Sequence, residues 1–301
     1  PLLKQIRTAP AVSAVLATVV LATPLIISAD QVGYRALACV LAIDQWFKML
    51  DYSRCLAQGA TEKETFRRYA IFLLPFPLFL VQYPKQERES SPSAMMRKNL
   101  VTAIVSGLIF AVGYGLLAIC SRIELFQSVF VLDHLMKLVI FIVSIEALSS
   151  SICAIEHRAG YKTEPLVHRI VASRSVANFW CRFNTRVHKW FLDNVFNRFG
   201  DNRRPLLGVC ATFLLSGLFH ELMFGIATSQ FDGYQLTFFV LQIPGILISR
   251  VIARLANRAG YRGRVLGGAF TAFWLGSTSV FFFHGVDQVF PMYYAAEPFL
   301  R

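Results

Sequence analysis

The sequence predicts an all-α fold, a polytopic transmembrane helix bundle of about six spans with a re-entrant element and an amphipathic interfacial helix. Three observations predict it. Long windows are free of charge: Ala9–Ala29, Val101–Ser121 and Gly233–Ser249 carry none, and Val265–Val286 holds only His284. The 301 residues are 55% hydrophobic and 16% charged, whereas a soluble domain runs about 45–50% apolar and about 25% charged. The net charge of +12 is gathered in the links between the windows, as topology in a membrane requires, and not on one face as nucleic-acid binding would require.

The first window, Ala9–Ala29, has spanning length. The chain opens on Pro1 and reaches this window within ten residues, which reads as a single membrane domain over residues 1–301 truncated at its N-terminus. The second, Val32–Leu50, is weakened as a span by Asp44 and Lys48. Tyr69–Tyr83 is short and carries Pro75 and Pro77, so a re-entrant or interfacial hairpin suits it better than a straight span. Gln86–Pro92 is a polar linker.

Asn99–Cys120 and Phe126–Cys153 follow. The second of these contains Asp133, His134, Lys137 and Glu146. Asp133 and Lys137, four apart, suit an ion pair on one helix face, and the deeper Glu146 is a candidate cavity-lining residue. Ala154–Arg204 then holds ten Lys/Arg against four acids, and Arg250–Arg264 holds five arginines and no acid. Both are expected on the cytoplasmic side. The last three spans therefore start inside at Arg204, turn outside near Asp232, and turn inside near Arg258. The six cysteines show no CxxC or other metal spacing.

Chemistry concentrates at two places. Pro205–Thr228 is apolar apart from His220 and Glu221, and ionisable groups at membrane depth are costly and tend to face an interior cavity. His220 stands about 22 Å from the cytoplasmic end at 1.5 Å per residue. The pair is not a zinc site, because position 224 is Phe where a second histidine ligand would stand. Upstream, Phe179–Phe191 reads as one amphipathic helix: Arg182, Arg186 and Lys189 share a stripe, while Asn184 and His188 project from the broad apolar arc.

Phe179-Trp180-x-Arg182 followed by Asn184, then Ala211-Thr212-Phe213-Leu214-Leu215-Ser216-Gly217-Leu218-Phe219-His220-Glu221-Leu222, resembles the wax-synthase-like branch of the membrane-bound O-acyltransferases. The tryptophan that precedes the asparagine in that branch is absent, and the match deletes one residue. The resemblance implies a tunnel through the helix bundle and acyl transfer from acyl-CoA, a co-substrate and not a tightly bound cofactor, to a lipophilic alcohol. It assigns His220 as general base and Asn184 as its partner, with His188 as the alternative. Ser216, Glu221 and Glu146 are candidate tunnel-lining residues. Arg174, Arg182, Arg186 and Lys189 are candidates for the phosphates of CoA, which arginine forks suit. Such a protein belongs in the cytoplasmic membrane of a bacterium or the endoplasmic reticulum of a eukaryote. The competing class is a transporter whose path runs through Asp133, Lys137, Glu146 and His220, although no internal repeat accompanies it.

Overall fold

The computed structural model describes residues 10–57, 66–76, 78–80, 93–161, 163–200, 203–257, 261–290 and 294. Among them no strand occurs, and helices take up most of the chain. They are α1 (Pro10–Ala22), α2 (Val32–Ala57), α3 (Phe66–Leu73), α4 (Ser93–Cys120), α5 (Glu124–Ser128), α6 (Phe130–Arg158), α7 (Val176–Trp180), α8 (Thr185–Phe191), α9 (Pro205–Thr228), α10 (Tyr234–Asn257) and α11 (Tyr261–Val289). A π-helical turn, Leu192–Phe196, continues α8.

Five of these are long and apolar enough to cross a membrane: the helices over Met95–Cys120, Phe130–Arg158, Pro205–Thr228, Tyr234–Leu255 and Gly263–Val289. Three of them match the windows without Asp, Glu, Lys or Arg, while Phe130–Arg158 and Pro205–Thr228 match the windows interrupted by Asp133, Lys137 and Glu146 and by Glu221. The first window forms a shorter apolar helix, Val15–Ile26, that ends in a 3-10 turn. The weak second span forms a helix of 26 residues, and its interrupting charges, Asp44 and Lys48, pair at 2.9 Å inside the protein. Counting charges undervalues such a helix, because a buried pair four apart neutralises itself. The linker Gln86–Pro92 lies outside the described residues.

α4 and α6 lie side by side, and α9 packs between α2 and α10, with α11 against α10. At Gly217, α9 and α10 approach so closely that a Cβ would stand 3.1 Å from Phe239 Cβ and 3.2 Å from Leu236 Cα. Outward-facing leucines Leu214, Leu218 and Leu222 are exposed along α9. His220 lies about 200° around the helix from its neighbours Leu218 and Leu222, at about 100° per residue. It therefore points away from the lipid-facing stripe and into the bundle.

The short element after α3 breaks at Leu74, and its irregular backbone is tied down by buried charges. Lys48 Nζ donates to the carbonyls of Leu74 at 2.8 Å and Leu78 at 2.5 Å. Asp44 accepts from the Leu80 N–H at 2.6 Å, and Glu156 from that of Phe79 at 3.2 Å. Non-helical backbone inside an apolar protein is tolerated only when its polar groups are satisfied in this way. The described part of Tyr69–Tyr83 thus is not a straight span.

Candidate active site

The segment read as one amphipathic helix is two helices. Between α7 and α8 the chain breaks at Cys181–Asn184, and Asn184 adopts left-handed backbone, φ 53° and ψ 56°, which asparagine tolerates better than most residues. The loop before α7 docks onto the break. The Arg182 carbonyl accepts from His168 N at 3.0 Å, and the Leu166 carbonyl accepts from Thr185 N at 2.8 Å. Thr185 Oγ1 adds a bond to the Pro165 carbonyl at 2.6 Å. The apolar periodicity runs through the break unaltered, so the sequence pattern alone continues the helix.

That break also turns Arg186 away from the solvent stripe. Its guanidinium is buried and grips Glu156 in a two-point pair, Nη1 to Oε1 at 2.8 Å and Nη2 to Oε2 at 2.5 Å. Its remaining donors go to the carbonyls of Glu164 at 2.8 Å and Phe79 at 2.5 Å. With four of its N–H groups on protein acceptors, Arg186 serves as a structural clamp, unlike the other three phosphate candidates. Arg174 and Lys189 are exposed, and the half-buried Arg182 spends one bond on the Arg169 carbonyl at 3.2 Å.

Glu221 and Glu146 also hold backbone. Glu221 Oε1 accepts from Gly233 N at 2.8 Å and Oε2 from Leu236 N at 3.2 Å, so the residue beside His220 caps the first turn of α10. A carboxylate there complements the exposed amides and the helix dipole. Glu146 Oε1 accepts from Ile170 N at 2.7 Å. Asp133 and Lys137 pair at 2.7 Å, both fully buried. These carboxylates and this lysine are accounted for by structural partners.

His220 is differently placed. Its side chain is half-buried. One face of the ring rests on Phe239 at 4.3 Å, with Phe282 at 6.0 Å. Nδ1 lies 2.8 Å from the Ser216 carbonyl. A carbonyl only accepts, so Nδ1 carries the proton and, in the neutral ring, Nε2 carries the lone pair. Ser216 thus acts here through its backbone, fixing the tautomer.

Thr212, Ser216 and His220, four apart, form one stripe of α9. Aromatic walls flank it. On one side Trp46, Phe47 and Trp190 pack with Phe219, and on the other Trp180 packs with Phe213, Phe238 and Phe239. Within this region Trp180 Nε1, Asn184 Oδ1, Trp190 Nε1 and Thr212 Oγ1 are buried without a hydrogen-bond partner among the described residues. Buried polar groups are nearly always paired, so these atoms mark where something polar belongs. Trp274, by contrast, donates its indole N–H to the Leu241 carbonyl at 3.2 Å.

Asn184 and His220 are not joined by a hydrogen bond among the described residues. Trp180, on the other side of the break from Asn184, meets Phe239 at 5.5 Å, and Phe239 stacks on His220. His188 is half-buried one turn into α8, and burial holds its imidazole below the ordinary value of 6.5. Thr212 and the two indoles were missed by sequence reasoning. Thr212 was findable, because it stands two helical turns before His220 on the same stripe.

The sequence model of MBOAT, the membrane-bound O-acyltransferase family, matches residues 102–278. That is more than half of the chain, and it contains Asn184, His220 and four of the five spanning helices whole or in large part. The chain belongs to the membrane-bound O-acyltransferase family. A search of curated proteins found no match. Membership makes this protein a membrane-bound O-acyltransferase, an integral membrane enzyme that acts on an acyl donor and a lipid acceptor.

Proposed function

We propose that this O-acyltransferase works in the manner of the wax-synthase-like branch, moving an acyl group from acyl-CoA to a lipophilic alcohol, with His220 as general base. The observation that carries this is the His220 tautomer. With Nδ1–H held by the Ser216 carbonyl, Nε2 is left as a proton acceptor inside an apolar, aromatic-walled region. As the alcohol oxygen forms its bond to the thioester carbon, Nε2 takes the hydroxyl proton. The oxyanion collapses, the C–S bond breaks, and the imidazolium returns the proton to the departing sulfur. Ester and free CoA thiol leave, with no acyl-enzyme required. General base catalysis of this kind is worth roughly 10²–10⁴-fold.

Asn184 is the partner in this reading. Its side chain makes no hydrogen bond among the described residues, so the amide is uncommitted and can hold the thioester carbonyl, whose developing charge a single donor stabilises by on the order of 3 kcal/mol. Arg174, Arg182 and Lys189 stand ready at the basic rim for the donor phosphates.

The test is ester formation by the purified protein in detergent. It would be given radiolabelled acyl-CoA with a panel of long-chain alcohols, diacylglycerol, sterols and terpenols. Ester from wild type but not from His220→Ala supports the reading. Substrate flux in sealed liposomes without any acyl transfer would overturn it in favour of transport.

A further inference from the structure

Four lysines and arginines are buried among the described residues: Arg35, Lys48, Lys137 and Arg186. Three of them pair with a buried carboxylate. Lys48 stands 2.9 Å from Asp44, Lys137 2.7 Å from Asp133 and Arg186 2.5 Å from Glu156. Arg35 is enclosed too, at 5% exposed, yet its hydrogen-bond partner among the described residues is a neutral hydroxyl. Its Nη1 donates to Ser229 Oγ at 2.9 Å, and its Nε is buried with no partner among them. The acids nearest along the chain face elsewhere. Asp30 accepts from the Ser28 hydroxyl, while Asp232 accepts from Tyr234 N at 3.1 Å and lies 3.0 Å from His284 Nε2. A buried guanidinium without a counter-charge is costly.

The chemistry of the pair restricts what it takes. A guanidinium presents its N–H groups as a planar fork that suits two oxygens of a phosphate. Ser229 Oγ accepts from Nη1 and keeps its own proton, so it donates to an oxygen beside that fork. One anion reaches both groups, because they already touch. A neutral hydroxyl or amide would leave the charge unbalanced. Place narrows the source. Ser229 opens the turn from α9 to α10, at the end of the bundle away from Arg204 and Asn257, so the topology that gathers basic residues at the other end does not account for Arg35. Ser229 is exposed and marks where the site meets the surface. The corner between α1 and α2 exposes Leu25, Ile26, Tyr34 and Leu37, apolar side chains with one tyrosine, as suits a membrane–water boundary. Lipid headgroups lie at that depth.

We propose that Arg35 and Ser229 form a phosphate site at this end of the bundle, filled by the headgroup of a membrane phospholipid. The phosphate supplies the counter-charge that the other three buried cations find within the chain. Its occupant ties the first turns of α2 to the end of α9, the helix that carries His220. The site takes no part in acyl transfer and does not depend on that reading.

The experiment uses the full chain, purified in an uncharged detergent and stripped of lipid. Phosphatidylglycerol, or a neutral galactosyl diacylglycerol with the same acyl chains, is added back. Native mass spectrometry counts the lipid retained, and a thermal melt follows each addition. Wild type should retain one phosphatidylglycerol that the galactolipid does not replace. Arg35→Gln should bind it about 10–100-fold more weakly, as for loss of hydrogen bonds to a charged group. Ser229→Ala, which keeps the guanidinium, should weaken it by only about 3–10-fold. The lipid-free melt gives a second signature: Arg35→Gln should match or exceed wild type, because an uncompensated buried charge is gone. Phosphatidylglycerol should then raise the melting temperature of wild type and not of Arg35→Gln. Inorganic phosphate, added at constant ionic strength, separates the sources. If it stabilises wild type but not Arg35→Gln, and no phospholipid is retained, the anion site stands and its occupant is free phosphate. Equal phosphatidylglycerol binding by wild type and Arg35→Gln overturns the site. So does an Arg35→Gln melt that lies below wild type by the same margin with and without phosphate, the result for an arginine that only props Ser229. If Arg35→Gln does not fold, Ser229→Ala decides: weaker retention of phosphatidylglycerol alone supports the site, and unchanged retention overturns it.

Discussion

The polar groups around Glu156 and those around His220 are both enclosed in an apolar protein, yet they are built on opposite rules. At Glu156 the polar groups are paired with one another: one carboxylate takes Arg186 at two points, the Thr163 hydroxyl at 2.5 Å and the Phe79 N–H. The surrounding backbone is irregular and would be unsatisfied without it. Around the Thr212–His220 stripe, Thr212 Oγ1 and the indole nitrogens of Trp180 and Trp190 are buried with no partner among the described residues, while His220 Nδ1 is held by the Ser216 carbonyl. A paired cluster holds the fold in place and has nothing left to offer a ligand. An unpaired one costs stability, and that cost is sensible where a substrate will supply the missing partner. α8 carries one residue of each kind: the Oδ1 of its N-cap, Asn184, is buried with no partner among the described residues, and two residues later Arg186 enters the closed cluster.

The sharpest way to break this comparison is to cut each region and ask which observable moves. Glu156→Ala leaves a buried guanidinium unpaired, which costs about 3–5 kcal/mol, and detergent-solubilised protein should lose thermal stability sharply. Replacing both Glu156 and Arg186 with leucine should not restore it, because the Phe79 N–H and the Phe79 and Glu164 carbonyls lose partners as well. His220→Ala should do the reverse, lowering turnover by roughly 10²–10⁴-fold with the melting temperature nearly unchanged. If His220→Ala unfolds the protein, or if Glu156→Ala is as stable as wild type but inactive, the division of labour is wrong.

Asn184 sits at the junction and needs a variant that separates its backbone from its amide. Glycine adopts left-handed backbone freely, so Asn184→Gly keeps the break between α7 and α8 while deleting the amide. Turnover should fall on the order of 10²-fold, as for loss of one oxyanion donor, with little change in the melting temperature. Asn184→Val should lose stability as well, since a β-branched residue is strained at positive φ.

These differences show which features were legible in the sequence. The five spans were, because predominantly apolar windows of that length have few other solutions even where a few charges interrupt them. His220 was legible as well, because an ionisable group inside such a window stands out. The clamp was not: Glu156 and Arg186 are thirty residues apart, and Arg186 shares a helical stripe with the half-buried Arg182 and the exposed Lys189. Only the break at Asn184 rotates it inward, and that break is set by the docked loop Thr163–Arg169, a tertiary event that leaves the local pattern unchanged. The stripe was half legible. Thr212 stands in register with His220, but whether a helical threonine bonds to its own backbone depends on a side-chain rotamer that no periodicity records.

Smaller effects sharpen the picture at the top of α9. Glu221 belongs to the closed class even though it adjoins His220, so Glu221→Ala should cost about 1 kcal/mol, as for a lost N-cap, and reduce turnover only modestly. Gly217→Ala asks for a few tenths of an ångström between α9 and α10 where Leu236 and Phe239 press closest. It should shift Phe239 against the His220 ring and lower turnover severalfold, more than it lowers stability.

His188 is the residue whose class the two regions leave to experiment, and pH separates the possibilities. Burial holds its imidazole below the ordinary value of 6.5, so the folded protein resists protonation more than the unfolded chain does. Above about pH 6.5 neither state is protonated there and the contribution to stability is complete. As pH falls through that value the unfolded chain takes up the proton first, and stability declines until the folded state also binds it. His188→Gln should therefore flatten the acid side of the stability–pH curve by a small, measurable amount. If His188 is only packed, turnover of His188→Gln at pH 7.5 stays within about twofold, in line with a surface-like ±0.5 kcal/mol effect. If instead it, and not Asn184, serves the open region, turnover falls by far more while Asn184→Gly remains active, and the catalytic partner of His220 moves one turn along α8.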